Sequence, residues 1–202
     1  MPGLWMPGAS MHWLASHLRK AGFAPEILGY RAVADGPGLA IERLAERLLA
    51  EGEADIVAHS LGGLVALQAL CDAPRLPVAK VVCLGSPLNG SGAAAGMLRW
   101  APAATLLGRS ARLLRDGLRL GEEHCWVGRA RVGVIAGRVP HGLGALFAGF
   151  GGEHDGTVAV AETRLDGISD HVVVKASHSG LLFSGEAAGQ AVHFLRDGCF
   201  LH

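Results

Sequence analysis

The stretch "VAHSLGGLVAL", residues 57–67, sets Ser60 between a β-branched run and a helical pattern. A serine at such a junction, framed by small residues, has the geometry of a nucleophile elbow. The tight turn pushes the hydroxyl outward, while glycines let neighbouring backbone pass close. The frame here is Ala58-His59-Ser60-Leu61-Gly62, with alanine in place of the first glycine of G-x-S-x-G. Alanine is the next smallest side chain, so the turn loses little. The Leu61 N–H, at the start of the helix, then aims at a developing oxyanion, aided by the helix dipole. The same string also fits a plain serine cap with Gly62 and Gly63 packed on a sheet, so the rest of the chain decides.

An elbow becomes a mechanism when an acid and a base follow it in the order Ser, Asp or Glu, His. "HDGTVAV" places Asp155 in an Asp-Gly turn after the run "VGVIAG", and "VKASHSGLL" places His178 directly after "VVV". Both fall at strand C-terminal ends, where sites in open α/β sheets lie. Alone, Asp155 reads as an Asx-turn residue and His178 as a surface loop residue; with Ser60, the array outweighs those readings. Asp166 and Asp170 compete for the acid role, but they precede the last strand, and Asp170 is held in reserve. The opening "MPGLWMPG", glycine-rich and followed by the helical pattern "SMHWLASHLRKAGF", suits a loop giving a second oxyanion N–H, with Leu4 as its donor.

Around these motifs, apolar runs alternate with helical patterns. Strands are predicted at residues 25–33, 54–60, 79–87, 130–138 and 170–178, and helices from Leu39 and from Leu61 to the proline at 74. Continuous rather than alternating apolar runs suit strands buried on both faces of a parallel sheet. The expected fold is therefore α/β, a mostly parallel sheet flanked by helices, in one domain over residues 1–202. Residues 88–128 break the rhythm. Within residues 97–131, seven arginines (Arg99, Arg109, Arg112, Arg115, Arg119, Arg129 and Arg131) face Asp116, Glu122 and Glu123, a local net charge of +4. Interleaved leucines make this a basic amphipathic segment, read as a helical lid over an acyl pocket rather than as a merely solvated helix. The apolar, glycine-rich "HGLGALFAGF" at residues 141–150 points to the same kind of substrate.

Basic and acidic residues balance at 18 each, so no global field draws the chain to nucleic acid. No apolar run is long enough to span a bilayer, and the first basic residue, Arg19, comes too late for a secretory n-region. A cytoplasmic location with no stable membrane insertion is expected. Cys71, Cys83, Cys125 and Cys199 form no C-x-x-C pair, so reduced thiols and no structural metal are expected. Three further groups are set aside. His12 and His17, five apart, point to different sides of a helix; Glu153 and His154 diverge from Asp155; His59 reads as pocket wall rather than as a catalytic group.

The elbow "AHSLGG", the acid turn "DGTV" and the base loop "SHSGLL" resemble, in spacing and order, those of α/β-hydrolases of the small lipase and esterase type, over nearly the whole chain. The resemblance implies a serine hydrolase of carboxylic esters that needs no cofactor and takes a small-molecule acyl ester, with transient lipid contact through the lid. Acyl transfer and thioester cleavage use the same triad; a non-catalytic hydrolase-like binding protein is the reading from another class. In that family a central strand, beside the elbow strand, precedes the oxyanion loop. Here nothing precedes Pro2-Gly3-Leu4 except Met1, so the expectation is a sheet lacking the N-terminal strand or strands, with a natural start further upstream.

Overall fold

The computed structural model describes residues 1–4, 6–118, 125–142, 144 and 149–202. Trp5, Arg119, Glu122 and Glu123, and Leu143 and residues 145–148 of the "HGLGALFAGF" stretch, lie outside the described residues. Four strands, β1 (Ala54–His59), β2 (Val78–Leu84), β3 (Arg131–Gly137) and β4 (Asp170–Val174), lie in the order β1-β2-β3-β4. Every pair is parallel. Each strand therefore neighbours the next one in the chain, and parallel pairing forces a crossover between them.

Successive side chains of a strand point to opposite faces, and here both faces are covered. On one, Ile56, Ala58, Val81, Cys83, Val132 and Val134 pack with α2 (Gly36–Glu51) and α3 (Leu61–Asp72). On the other, Val82, Leu84, Ile135 and Val174 pack with α1 (His12–Lys20) and α7 (Gly185–Asp197). This two-sided burial is why the strands read as unbroken apolar runs. In α2, Ala40, Leu44 and Leu48 recur every four residues and are the buried stripe. By contrast α3 is buried almost all round from Leu61 to Leu70, because it lies between the sheet and α2. Its Gly62 and Gly63 have no room for a side chain: a Cβ on Gly62 would stand 2.7 Å from the Pro2 carbonyl oxygen, and one on Gly63 would collide with Ser86. Helix α7 is capped at both ends. Ser184 Oγ accepts from the Ala187 N–H at the start of α7, and Gly198, in the left-handed conformation, ends it.

Residues 25–33 are not a strand, contrary to the sequence expectation. Their apolar character has another cause: Leu28 and Tyr30 pack on one core, Ile27 on the other, and Ala32 is buried, with no ladder partner needed. Strands β2 and β4 also end earlier than predicted, because residues 85–87 and 175–178 form the turns that carry site residues.

On the side of β1 away from β2, no strand pairs among the described residues. Instead the Met1 amino group donates to the Val57 carbonyl (2.7 Å) and the His59 N–H donates to the Met1 carbonyl (3.0 Å). Met1 thus occupies a parallel-ladder position opposite Ala58. Beside it, along Ala54 to Val57, lies a cavity of about 400 Å³ lined by Leu14, Leu18, Leu44 and Leu48. Among the described residues β1 thus has β2 as its one strand neighbour, as the sequence led us to expect.

Among the described residues between β2 and β3 run three short α-helices, α4 (Gly92–Leu98), α5 (Ala101–Leu107) and α6 (Ala111–Asp116). Met97, Ala103, Leu107 and Leu114 join the same core as α2 and α3. The Ser110 hydroxyl donates to the Ala32 carbonyl at 2.7 Å.

Cys71, near the end of α3, and Cys125 form a disulfide, with Cα atoms 5.1 Å apart. This corrects the expectation of reduced thiols: 54 residues separate the pair, and only the fold brings them together. Cys83 is buried and free, as a small apolar side chain in β2. Closing a loop of this length restricts the unfolded chain, so reduction is expected to lower stability by about 2–4 kcal/mol. Denaturant unfolding with and without reductant measures it, and coincident transitions would refute it.

Candidate active site

The turn from β1 into α3 is too tight for ordinary backbone. Ser60 adopts φ 54°, ψ −123°, the one non-glycine residue with positive φ among those described. Holding a side-chain-bearing residue there costs on the order of 1–3 kcal/mol, which the surrounding contacts must offset. The Ser60 N–H donates to the Leu84 carbonyl (2.8 Å), and its own carbonyl accepts from Gly63 (3.1 Å), so the turn is pinned on both sides.

The base comes from the loop after β4. His178 Nε2 stands 3.0 Å from Ser60 Oγ, and its Nδ1 stands 2.7 Å from Asp155 Oδ2. A carboxylate only accepts, so Nδ1 carries the proton and Nε2 is left as the acceptor for the serine hydroxyl. The His178 N–H also donates to the Asp155 carbonyl at 2.9 Å, tying the two loops together. Asp155 is buried, and its other oxygen accepts from the backbone N–H groups of Thr157 (2.9 Å) and Val158 (2.7 Å). Both carboxylate oxygens are thus satisfied, which is what a buried charge requires. Gly85 makes room for the pair: a Cβ there would sit 3.2 Å from both Asp155 Oδ2 and His178 Nδ1.

The N-terminal loop passes directly over the serine. A Cβ on Gly3 would lie 2.8 Å from Ser60 Cβ and 3.3 Å from its Oγ, so the Gly3–Leu4 peptide is beside the hydroxyl. The Leu61 N–H opens α3 at the same turn. Among the described residues neither the Leu4 nor the Leu61 N–H has a protein acceptor. Two backbone donors next to a nucleophile are the elements of an oxyanion hole.

The other candidates lie elsewhere. Asp170, at the start of β4, accepts from the N–H groups of His171 and Phe200 and from His202, so it caps the strand end far from His178. Asp166 lies in the turn before β4. Glu153 pairs with Arg138, while His154 stacks on Phe150 and accepts from the Gly156 N–H. His12 is exposed, and His17 lies against Trp13. Among the described residues no group of three or more His, Cys, Asp or Glu side chains could hold a metal ion.

Sequence reasoning assigned His59 no contact, yet it has one. Fully buried, its Nε2 lies 2.8 Å from the His178 carbonyl oxygen. Burial, and then the nearby His178, lower its pKa to about 3, while burial and then Arg164 lower that of His171 to about 4. An unfolded histidine titrates near 6.5. Between these values the unfolded chain binds more protons than the folded one, so stability is lost as pH falls. Denaturant midpoints are expected to fall from about pH 7 to about pH 4, with fully buried His59 contributing up to about 1.4 kcal/mol per pH unit and the partly exposed His171 less. A midpoint constant over that range would show both histidines titrating normally.

Neither a protein-family model nor a curated protein matches the chain. Solved structures do. The mature form of Bacillus licheniformis lipase BlEst2 superposes with a TM-score of 0.71 at 20% identity, over 97% of this chain and 89% of that one. The pyrethroid hydrolase PytH gives 0.60 at 14% identity, over 98% and 96%. An extracellular α/β-hydrolase from a Paenibacillus species gives 0.59 at 12% identity, over 96% of each chain. The chain has the α/β-hydrolase fold, in a small form with a four-stranded sheet.

Proposed function

We propose that this protein is a serine hydrolase that cleaves carboxylic esters through an acyl-enzyme on Ser60. The observation that carries the reading is the hydrogen-bonded line from Asp155 through His178 to Ser60. His178 Nε2 takes the hydroxyl proton as Ser60 Oγ attacks the ester carbonyl, and Asp155 stabilises the imidazolium that forms. The Leu4 and Leu61 N–H groups receive the oxyanion of the tetrahedral intermediate. Collapse expels the alcohol, which takes the proton back from His178. Water, activated by the same base, then hydrolyses the acyl-enzyme.

The substrate is a small ester with an apolar acyl group, and α4 to α6 cover that group. Because α5 and α6 bury leucines in the main core and the disulfide anchors the end of the segment, the cover is a fixed roof rather than a free flap. Its outer face, with Trp100, Leu106 and Arg112 exposed, suits brief contact with a lipid surface. No helix of the described residues is long and apolar enough to cross a membrane. The Cys71–Cys125 disulfide favours an oxidising compartment over the cytoplasmic location expected from the sequence, since persistent disulfides belong to such compartments. Alkylation and mass measurement of the protein as made in cells distinguishes the two.

A fluorophosphonate probe tests the central claim, because labelling requires an activated serine whatever the natural ester. The expected result is one label, on Ser60, with hydrolysis of short p-nitrophenyl esters. No label, or a label elsewhere, overturns the proposal. Product analysis with added alcohol separates hydrolysis from acyl transfer.

A further inference from the structure

We infer that His59 is a positioning residue for the reaction at Ser60: its Nε2–H holds the backbone carbonyl of His178 and so fixes the base loop against the nucleophile. The inference rests on the ester-hydrolase reading above. A carbonyl oxygen can only accept, so the 2.8 Å contact assigns the His59 proton to Nε2. Its Nδ1 is then a bare lone pair, and that atom is buried with no hydrogen-bond partner. Leaving it so is unfavourable, because a buried polar atom gives up its hydration with nothing in return. An apolar side chain of similar volume would avoid that penalty, so packing alone gives no reason for a histidine here.

The contact closes a frame around the base. His178 is held at its ring by Asp155 Oδ2, at its N–H by the Asp155 carbonyl, and at its carbonyl by His59. The first two tie the base loop to the acid loop. Apart from the reacting contact of His178 Nε2 with Ser60 Oγ, only the third, among those described, ties His178 to the strand that leads into Ser60, 118 residues away in sequence. Without it the His178 ring remains paired with Asp155, but its loop loses its hydrogen bond to the residue beside Ser60, and the distance to Ser60 Oγ is less tightly set. The two imidazole rings lie 4.7 Å apart between centroids. A positive charge on His59 would oppose the imidazolium that His178 becomes, and burial keeps His59 neutral. Gly3 lies over the Nδ1 side, where a Cβ would come within 3.1 Å of that atom, so the lone pair is shut off from solvent.

The test compares His59→Gln, His59→Asn and His59→Leu with the wild type. Glutamine carries an N–H to about the reach of Nε2; asparagine carries the same group one carbon short; leucine has none. Glutamine is expected to keep kcat within about 5-fold, while asparagine and leucine lower it about 10–100-fold with KM changed less than about 3-fold, as for a base displaced by up to an ångström. Fluorophosphonate labelling rates should fall by the same factors, and melting temperatures of the glutamine and asparagine forms should agree. Glutamine and asparagine equally impaired, or all three equal to wild type, overturns the inference and leaves the Ser60 reading intact. An unlabelled wild type overturns both. Tautomer-sensitive nitrogen-15 spectra of the wild type read the contact without a mutation: His59 protonated at Nδ1 overturns it.

Discussion

Ser60→Ala is expected to lower kcat for p-nitrophenyl acetate by on the order of 10^6, and His178→Ala to do the same, because a nucleophile and its base act as one unit. Removing both together is therefore expected to lower kcat no further than either alone. The geometry gives the reason. Ser60 Oγ has one base within reach, His178 Nε2 at 3.0 Å, and without that base the hydroxyl keeps its proton at neutral pH. Folding should survive both changes, since the turn is pinned by backbone bonds of residue 60 to Leu84 and Gly63 rather than by the hydroxyl. Steady-state rates with matched melting curves check the result. A Ser60→Ala protein with wild-type rates would place the chemistry elsewhere.

Asp155→Asn is expected to lower kcat by about 10^4 with little change in shape. The carboxylate oxygen Oδ1 accepts from two backbone N–H groups, so an asparagine must put its carbonyl oxygen there and its NH2 group where Oδ2 stands. That NH2 donates to His178 Nδ1. The ring proton then moves to Nε2, which faces Ser60 and can no longer accept from it. The loss is one of tautomer rather than position, so a pH–rate profile should keep its form while its plateau falls. An asparagine variant as active as the wild type would mean that Asp155 serves only the turn.

Much of the fold was legible because its period is local. The unbroken run at residues 81–84 announces a strand covered on both faces, and the four-residue spacing of Ala40, Leu44 and Leu48 announces the buried stripe of α2. Residues 25–33 show where this reading fails: apolar residues that pack from an extended coil look, in sequence, like residues of a strand. Chain order named Ser60, Asp155 and His178, and the fold brings them within hydrogen-bond distance. The disulfide and the His59 contact were not legible, since each joins residues separated by 54 and 119 positions through geometry that no short motif encodes.

The sequential strand order has a consequence for synthesis. As the polypeptide leaves the ribosome, each new strand can dock on the one just made, so the sheet grows outward from β1 without waiting for a distant partner. The nucleophile emerges early and its base 118 residues later. On the proposed mechanism, a nascent chain that has already formed the Ser60 turn has no base for its hydroxyl until β4 and the loop beyond it have been translated.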